Sequence, residues 1–161
     1  MRTTVAILLL LACPAAAGET FSGRVVRVTD GDTFVLSDQT RVRLWGIDAP
    51  EHRQGCDGAD GRPYPCGVRA QQQLEALALG QEAVCEDRQR GGSFGRRVAA
   101  CSVGGRDLGL EMVATGLAVD YRRYSKGAYA AAERQAQAAK RGVWGGHFEL
   151  PGAWRRERRG E

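Results

Sequence analysis

The sequence has 161 residues, a length that suits one compact domain able to bury a core of its own. Lysine and arginine outnumber aspartate and glutamate by 23 to 19, a net charge of +4. This moderate balance is compatible with a polyanionic partner without identifying one, and the single long apolar run is too short to cross a bilayer as a helix.

Residues 1–17 read as a cleavable signal peptide. Arg2 precedes the apolar run from Val5 to Leu11, and small residues follow up to Ala15, Ala16 and Ala17. Export to the periplasm or the medium is the expectation. Leu10, Leu11, Ala12 and Cys13 are a poor match to a lipoprotein cleavage box, and lipidation at Cys13 is the one route to stable membrane association.

Segment 21–28 reads as a strand, Asp30-Gly31 as a hairpin turn, and 33–37 and 42–47 as the next two strands. A long loop, 49–67, carries Pro50, Pro63 and Pro65. Residues 69–79 follow a helical period and stop at Gly80. Segments 82–88 and 97–103 form a hairpin around Gly91, Gly92 and Gly95. A second helix, 107–115, is capped by Asp107, and a third, 128–140, stops at Gly142. Trp144 is expected to seal the core. The basic tail, 151–161, with Arg155, Arg156, Arg158 and Arg159, is expected to be solvated and mobile. The order predicts an α+β, mainly β fold: a five-stranded OB-type Greek-key barrel with three α-helices, occupying 18–150.

Loss of 1–17 leaves Cys56, Cys66, Cys85 and Cys101. Four cysteines in an exported chain imply two disulfides, with three possible connectivities. The favoured pairs are Cys56–Cys66, closing the Gly/Pro-rich loop, and Cys85–Cys101, joining neighbouring strands. The cysteines lack tight zinc spacing.

The chemistry-bearing residues fall in two short segments. The first, around Asp30, Gly31 and Asp32, begins a strand; the second runs from Arg43 to Asp48, Ala49, Pro50 and Glu51. Two aspartates and a backbone carbonyl from Ala49 make an oxygen-rich site suited to Ca²⁺. Glu51 could orient or deprotonate a water. Arg43, with Arg41 two residues away, and the pair Arg96 and Arg97 could stabilise the charge that builds on a phosphodiester under attack. Taken singly, each residue reads more readily as a turn or surface group.

Their order and spacing resemble the staphylococcal nuclease (thermonuclease) family. The similarity rests on Asp30-Gly31-Asp32-Thr33, on Arg43-Leu44 with Gly46-Ile47-Asp48-Ala49-Pro50-Glu51, on Phe94-Gly95-Arg96, and on Gly116-Leu117-Ala118 and Arg141-Gly142-Val143-Trp144. The resemblance implies a Ca²⁺-dependent phosphodiesterase acting on DNA and RNA, breaking P–O5′ to leave 3′-phosphorylated products. It implies metal ligation by Asp32, Asp48 and the Ala49 carbonyl, phosphate clamping by Arg43 and Arg96, and base catalysis by Glu51. The family's pocket tyrosines lie two residues apart, whereas Tyr121 and Tyr124 lie three apart. One of them is expected to stack on a base while Arg122 or Arg123 meets phosphate. Single-stranded nucleic acid is the expected preference and a monomer the expected state. The alternative is a non-catalytic nuclease-like module that binds nucleic acid or a protein; retention of all five acids and arginines favours the enzyme.

Overall fold

The computed structural model describes residues 18–160, so the expected signal peptide and Cys13 lie outside the described residues. Three strands open the fold: β1 (Thr20–Asp30), β2 (Thr33–Leu36) and β3 (Arg41–Leu44), paired antiparallel in turn. A two-residue strand, β4 (Ile47–Asp48), and a short loop hairpin, β5 (Cys56–Asp57) with β6 (Pro63–Tyr64), come next. After helix α1 (Cys66–Ala78), the long hairpin of β7 (Glu82–Ser93) and β8 (Arg96–Val103) returns to the sheet. The chain finishes with β9 (Arg106–Asp107), α2 (Leu108–Ala114), β10 (Val119–Asp120), α3 (Arg122–Ser125), α4 (Ala130–Ala138), a 3-10 turn (Gly142–Gly145) and α5 (Pro151–Arg159).

The sheet order β3-β2-β1-β7-β8 closes on itself because β3 also pairs parallel with β8, Arg43 opposite Val98. The expected five-stranded OB-type barrel is therefore present, and closure removes the sheet edges that would otherwise invite pairing. Strand alternation explains β3: Val42 and Leu44 are buried while Arg41 and Arg43 face the other way. Phe34, Leu36, Val42, Leu44 and Ile47 fill the barrel beneath Leu74 of α1 and Met112 of α2. Each such buried side chain contributes about 1.5–3 kcal/mol.

The helices follow their sequence signals. Ala70, Leu74 and Ala78 recur every four residues on the buried face of α1. Asp107 caps α2, accepting a hydrogen bond from the Leu110 N–H at 3.0 Å. Both favoured disulfides are formed, Cys56–Cys66 and Cys85–Cys101, the latter between directly opposed residues of β7 and β8.

Three expectations change. The loop 49–67 is not featureless; it holds the β5–β6 hairpin, tied by Cys56–Cys66 to the first residue of α1. Trp144 packs with Phe148, Tyr64 and the disulfide in a second small apolar cluster, not against the barrel core. The C-terminal segment is helical: α5 begins at a buried Pro151 in the first turn and ends at Gly160 in the left-handed conformation. Proline inside the start and glycine past the end are the usual helix punctuation. Among the described residues, no helix is long and apolar enough to cross a membrane.

Candidate active site

Two close approaches fix the acids. The turn from β1 to β2 abuts α1 and the Ala49 turn; a Cβ on Gly31 would lie 2.6 Å from the Ala70 Cβ and 2.7 Å from the Ala49 Cβ. Only glycine lets Asp32 sit so near Ala49. At the start of α1, a Cβ on Gly67 would fall 1.7 Å from the Glu51 carbonyl oxygen, so the helix rests on the Glu51 turn. Gln54 completes that turn. Its side-chain oxygen accepts from the Glu51 N–H at 3.2 Å, its own N–H donates to the Glu51 carbonyl at 2.7 Å, and it is buried.

The aspartates converge on one guanidinium. Arg43 donates from Nη1 to Asp32 Oδ1 and from Nη2 to Asp48 Oδ1, the latter at 3.0 Å. Asp32 and Asp48 are only 3% and 4% exposed, which makes each carboxylate depend on its partners for solvation. Asp32 also accepts from the Thr33 hydroxyl at 2.9 Å and the Ala49 N–H at 3.2 Å. Burial works against the Arg43 charge, but Asp32 and Asp48 together hold its pKa above the ordinary arginine value. Asp30 lies alongside; burial first, then repulsion from Asp32, pushes its carboxyl up to about 7.

A cleft of about 700 Å³ opens beside them, lined by Asp30, Arg43 and Arg155. Arg43, Glu51 and Arg96 line it together with Tyr121 and Tyr124, while Phe94 stands at its rim, 86% exposed. Burial and then the nearby charge of Arg43 lower the Arg96 pKa, as expected of two guanidiniums facing one space. The tyrosine rings meet edge to face, centroids 4.9 Å apart, and the Tyr121 N–H donates to the Gly46 carbonyl at 2.8 Å. The other arginine after the hairpin tip, Arg97, is turned away from the cleft, paired with Asp87 and stacked on Phe21. Arg122 is likewise outside it: the guanidinium reaches Glu133 Oε2 at 3.4 Å, because a nearby buried acid outcompetes the open cleft. The expected contact of Arg122 with phosphate therefore finds no support in the geometry.

Arg155 is the residue that sequence reasoning missed. Its Nη1 donates to Asp48 Oδ1 at 2.9 Å and to Glu51 Oε1 at 2.7 Å, and its Nη2 donates to Asp48 Oδ2 at 2.9 Å. Burial opposes this charge, yet the hydrogen bonds to Asp48 and Glu51 raise its pKa above the ordinary value. Gln54 was missed as well, although its amide links the two regions by donating to the Glu149 carbonyl at 2.6 Å. The proline and glycine that frame α5 were the available signal.

The donors suit a hard cation in kind: two buried carboxylates within reach of one positive group, with no nitrogen or sulfur ligand between them. Among the described residues, no group of three or more His, Cys, Asp or Glu side chains is arranged to hold a metal ion. Glu51 leans on Arg155. The site is thus an acid pair held by two guanidiniums, those of Arg43 and Arg155.

Comparison with known proteins agrees with this geometry. Residues 41–146 match the family described as "Staphylococcal nuclease homologue". The chain is 34% identical to the "Micrococcal nuclease" of Shigella flexneri, covering 94% of this chain and 88% of that protein. It is 30% identical to an "Uncharacterized endonuclease" of Haemophilus influenzae, covering 96% and 84%. A third relative, 35% identical over 89% of this chain and 75% of its own length, is the "Succinoglycan biosynthesis protein ExoI" of Rhizobium meliloti. With the family matched from β3 to the 3-10 turn, and with relatives about a third identical over most of their length, the chain belongs to the staphylococcal nuclease family.

Proposed function

We propose that this nuclease is exported and Ca²⁺-dependent, and that it hydrolyses DNA and RNA at P–O5′ to leave a 3′-phosphate and a free 5′-hydroxyl. The observation that carries the reading is the meeting of Arg43, Arg96 and Glu51 in one cleft, with Arg43 also hydrogen-bonded to both Asp32 and Asp48. Asp32, Asp48 and the Ala49 carbonyl would hold Ca²⁺, which supplies a Lewis-acid charge beside the phosphoryl oxygens. Glu51 accepts a proton from the attacking water. Arg43 and Arg96 hold the non-bridging oxygens and bind them more tightly as negative charge accumulates on them. The P–O5′ bond breaks as the new P–O bond forms, and the departing oxygen takes up a proton. Tyr121 and Tyr124 present aromatic edges and faces to an unpaired base, which favours single strands.

Export to the periplasm or medium is supported by the composition of residues 1–17 and by two disulfides, which persist in oxidising compartments. A monomer is sufficient for this mechanism, since every residue named belongs to one chain. The test is cleavage of single-stranded DNA and RNA by the purified protein in Ca²⁺ or in EDTA, with analysis of the product ends. Cleavage in Ca²⁺ alone, with 3′-phosphate ends, is expected. Intact substrate in both conditions rejects the enzyme, and higher activity in Mn²⁺ than in Ca²⁺ rejects the metal assignment.

A further inference from the structure

Arg155 occupies the acids that the proposed function needs free. Its planar fork engages both oxygens of Asp48 while Nη1 also reaches Glu51. Bidentate pairing of this kind is among the stronger charge-assisted contacts. A carboxylate held at 2.9 Å on each oxygen by one guanidinium cannot present those same directions to a divalent ion. The Oε1 of Glu51, held at 2.7 Å, is taken up by the same guanidinium and cannot accept from a water in that direction. Arg43 differs in kind: it comes from a barrel strand and is fixed there by the ladder to β2 and β8.

The element that brings Arg155 is lightly held. Pro151 is buried, and the Gln54 amide bonds the preceding Glu149 carbonyl, which anchors the entry to α5. Beyond Arg155 the helix is exposed, and Trp154 is covered on one side by its own neighbour Arg158, 4.4 Å from the ring centroid. Lifting the last turns of α5 therefore breaks the contacts to Asp48 and Glu51 and uncovers little apolar surface.

We infer that Arg155 is an intramolecular latch: the guanidinium and a divalent cation compete for Asp48, so that metal loading displaces the C-terminal half of α5 and releases Glu51 with it. The inference rests on the metal-dependent reading of the site. A latch closed nine-tenths of the time weakens the apparent metal affinity about tenfold, because only the open fraction is competent.

The test measures binding without nucleic acid. Ca²⁺ is titrated calorimetrically into the purified protein, Arg155→Gln and Arg155→Lys, and amide exchange across α5 is followed with and without Ca²⁺. Thermal melts establish that the variants are folded, and Arg155→Lys keeps a positive charge should Arg155→Gln fail to fold. The expected result is affinity tightened about tenfold in Arg155→Gln, a smaller gain in Arg155→Lys because ammonium lacks the fork, and faster exchange in α5 of the unaltered protein when Ca²⁺ is added. Equal affinity in all three proteins, weaker affinity in the variants, no Ca²⁺ binding by the folded variants, or unchanged exchange in α5 overturns the latch. The cleavage assay judges the nuclease reading separately: a Ca²⁺-dependent enzyme with equal affinities loses only the latch.

Discussion

Two buried acidic clusters hang on one two-residue ladder. Strands β4 and β10 set Asp48 opposite Val119 and Ile47 opposite Asp120. Asp48 and Asp120 are buried almost equally, 4% and 7% exposed, so burial does not separate them. Their partners do. Asp120 accepts from the Ser125 hydroxyl at 2.5 Å, and its backbone N–H donates to Glu133 Oε1 at 2.9 Å. Those partners are close in sequence and none is a cleft cation. Asp48 is held by Arg43 and Arg155, long cationic side chains beside open space. A carboxylate held through one oxygen by a local hydroxyl, its other oxygen buried without a hydrogen bond, serves the fold; one held by a guanidinium at a cleft can exchange that guanidinium for another cation.

The contrast is broken most severely at the cleft. Arg96→Ala is expected to lower turnover roughly 10²–10³-fold, the usual result of deleting one donor aimed at transition-state charge. Thermal stability should hold, since the side chain's hydrogen bond within the protein is a 3.3 Å contact to the Ser93 carbonyl. Initial rates together with a thermal melt check both halves, and undiminished turnover would remove Arg96 from the chemistry.

Arg43→Met probes the same cluster through stability. It strips one cation from two buried carboxylates, a change expected to lose about 3–5 kcal/mol in metal-free buffer. Added Ca²⁺ should restore part of that loss by replacing the missing charge. Urea denaturation in EDTA and in Ca²⁺ measures the difference, and no recovery in Ca²⁺ would speak against a cation between Asp32 and Asp48.

On the closed side, Ser125→Ala leaves Asp120 without its hydroxyl partner. A loss of about 1–3 kcal/mol is expected, with the cleavage rate unchanged. A fall in rate without a fall in stability would make this second cluster part of the site. The smallest effect is expected for Arg122→Ala. Its guanidinium is 66% exposed, and such pairs contribute about 0–1 kcal/mol. A marked loss of affinity for single-stranded DNA would return Arg122 to the cleft.

The parts legible in the sequence share one property: they depend on residues near one another along the chain. Alternation in β3 places Arg43 opposite in facing to Val42 and Leu44, and the short run to Asp48 and Glu51 keeps the acids with it. The Asp107 cap and the Cys85–Cys101 cross-link follow from turn and hairpin signals of the same local kind. The glycine-rich hairpin tip offered Arg96 and Arg97 alike, and the family resemblance singled out Arg96.

Arg155 was not legible, and neither was the reach of Gln54 to Glu149. The signals framing α5 can mark a helix, but no local signal says where that helix lies. Its position depends on the β5–β6 hairpin, its disulfide and the small cluster around Trp144, which together bring residue 155 back to Asp48 and Glu51. Sequence by itself determined the barrel, because strand period and turn chemistry act over a few residues, and it offered the acids and arginines as candidates that the family resemblance singled out. Only the tertiary structure decided which cation those acids hold, because that contact joins groups more than a hundred positions apart and arises from packing that no local pattern encodes.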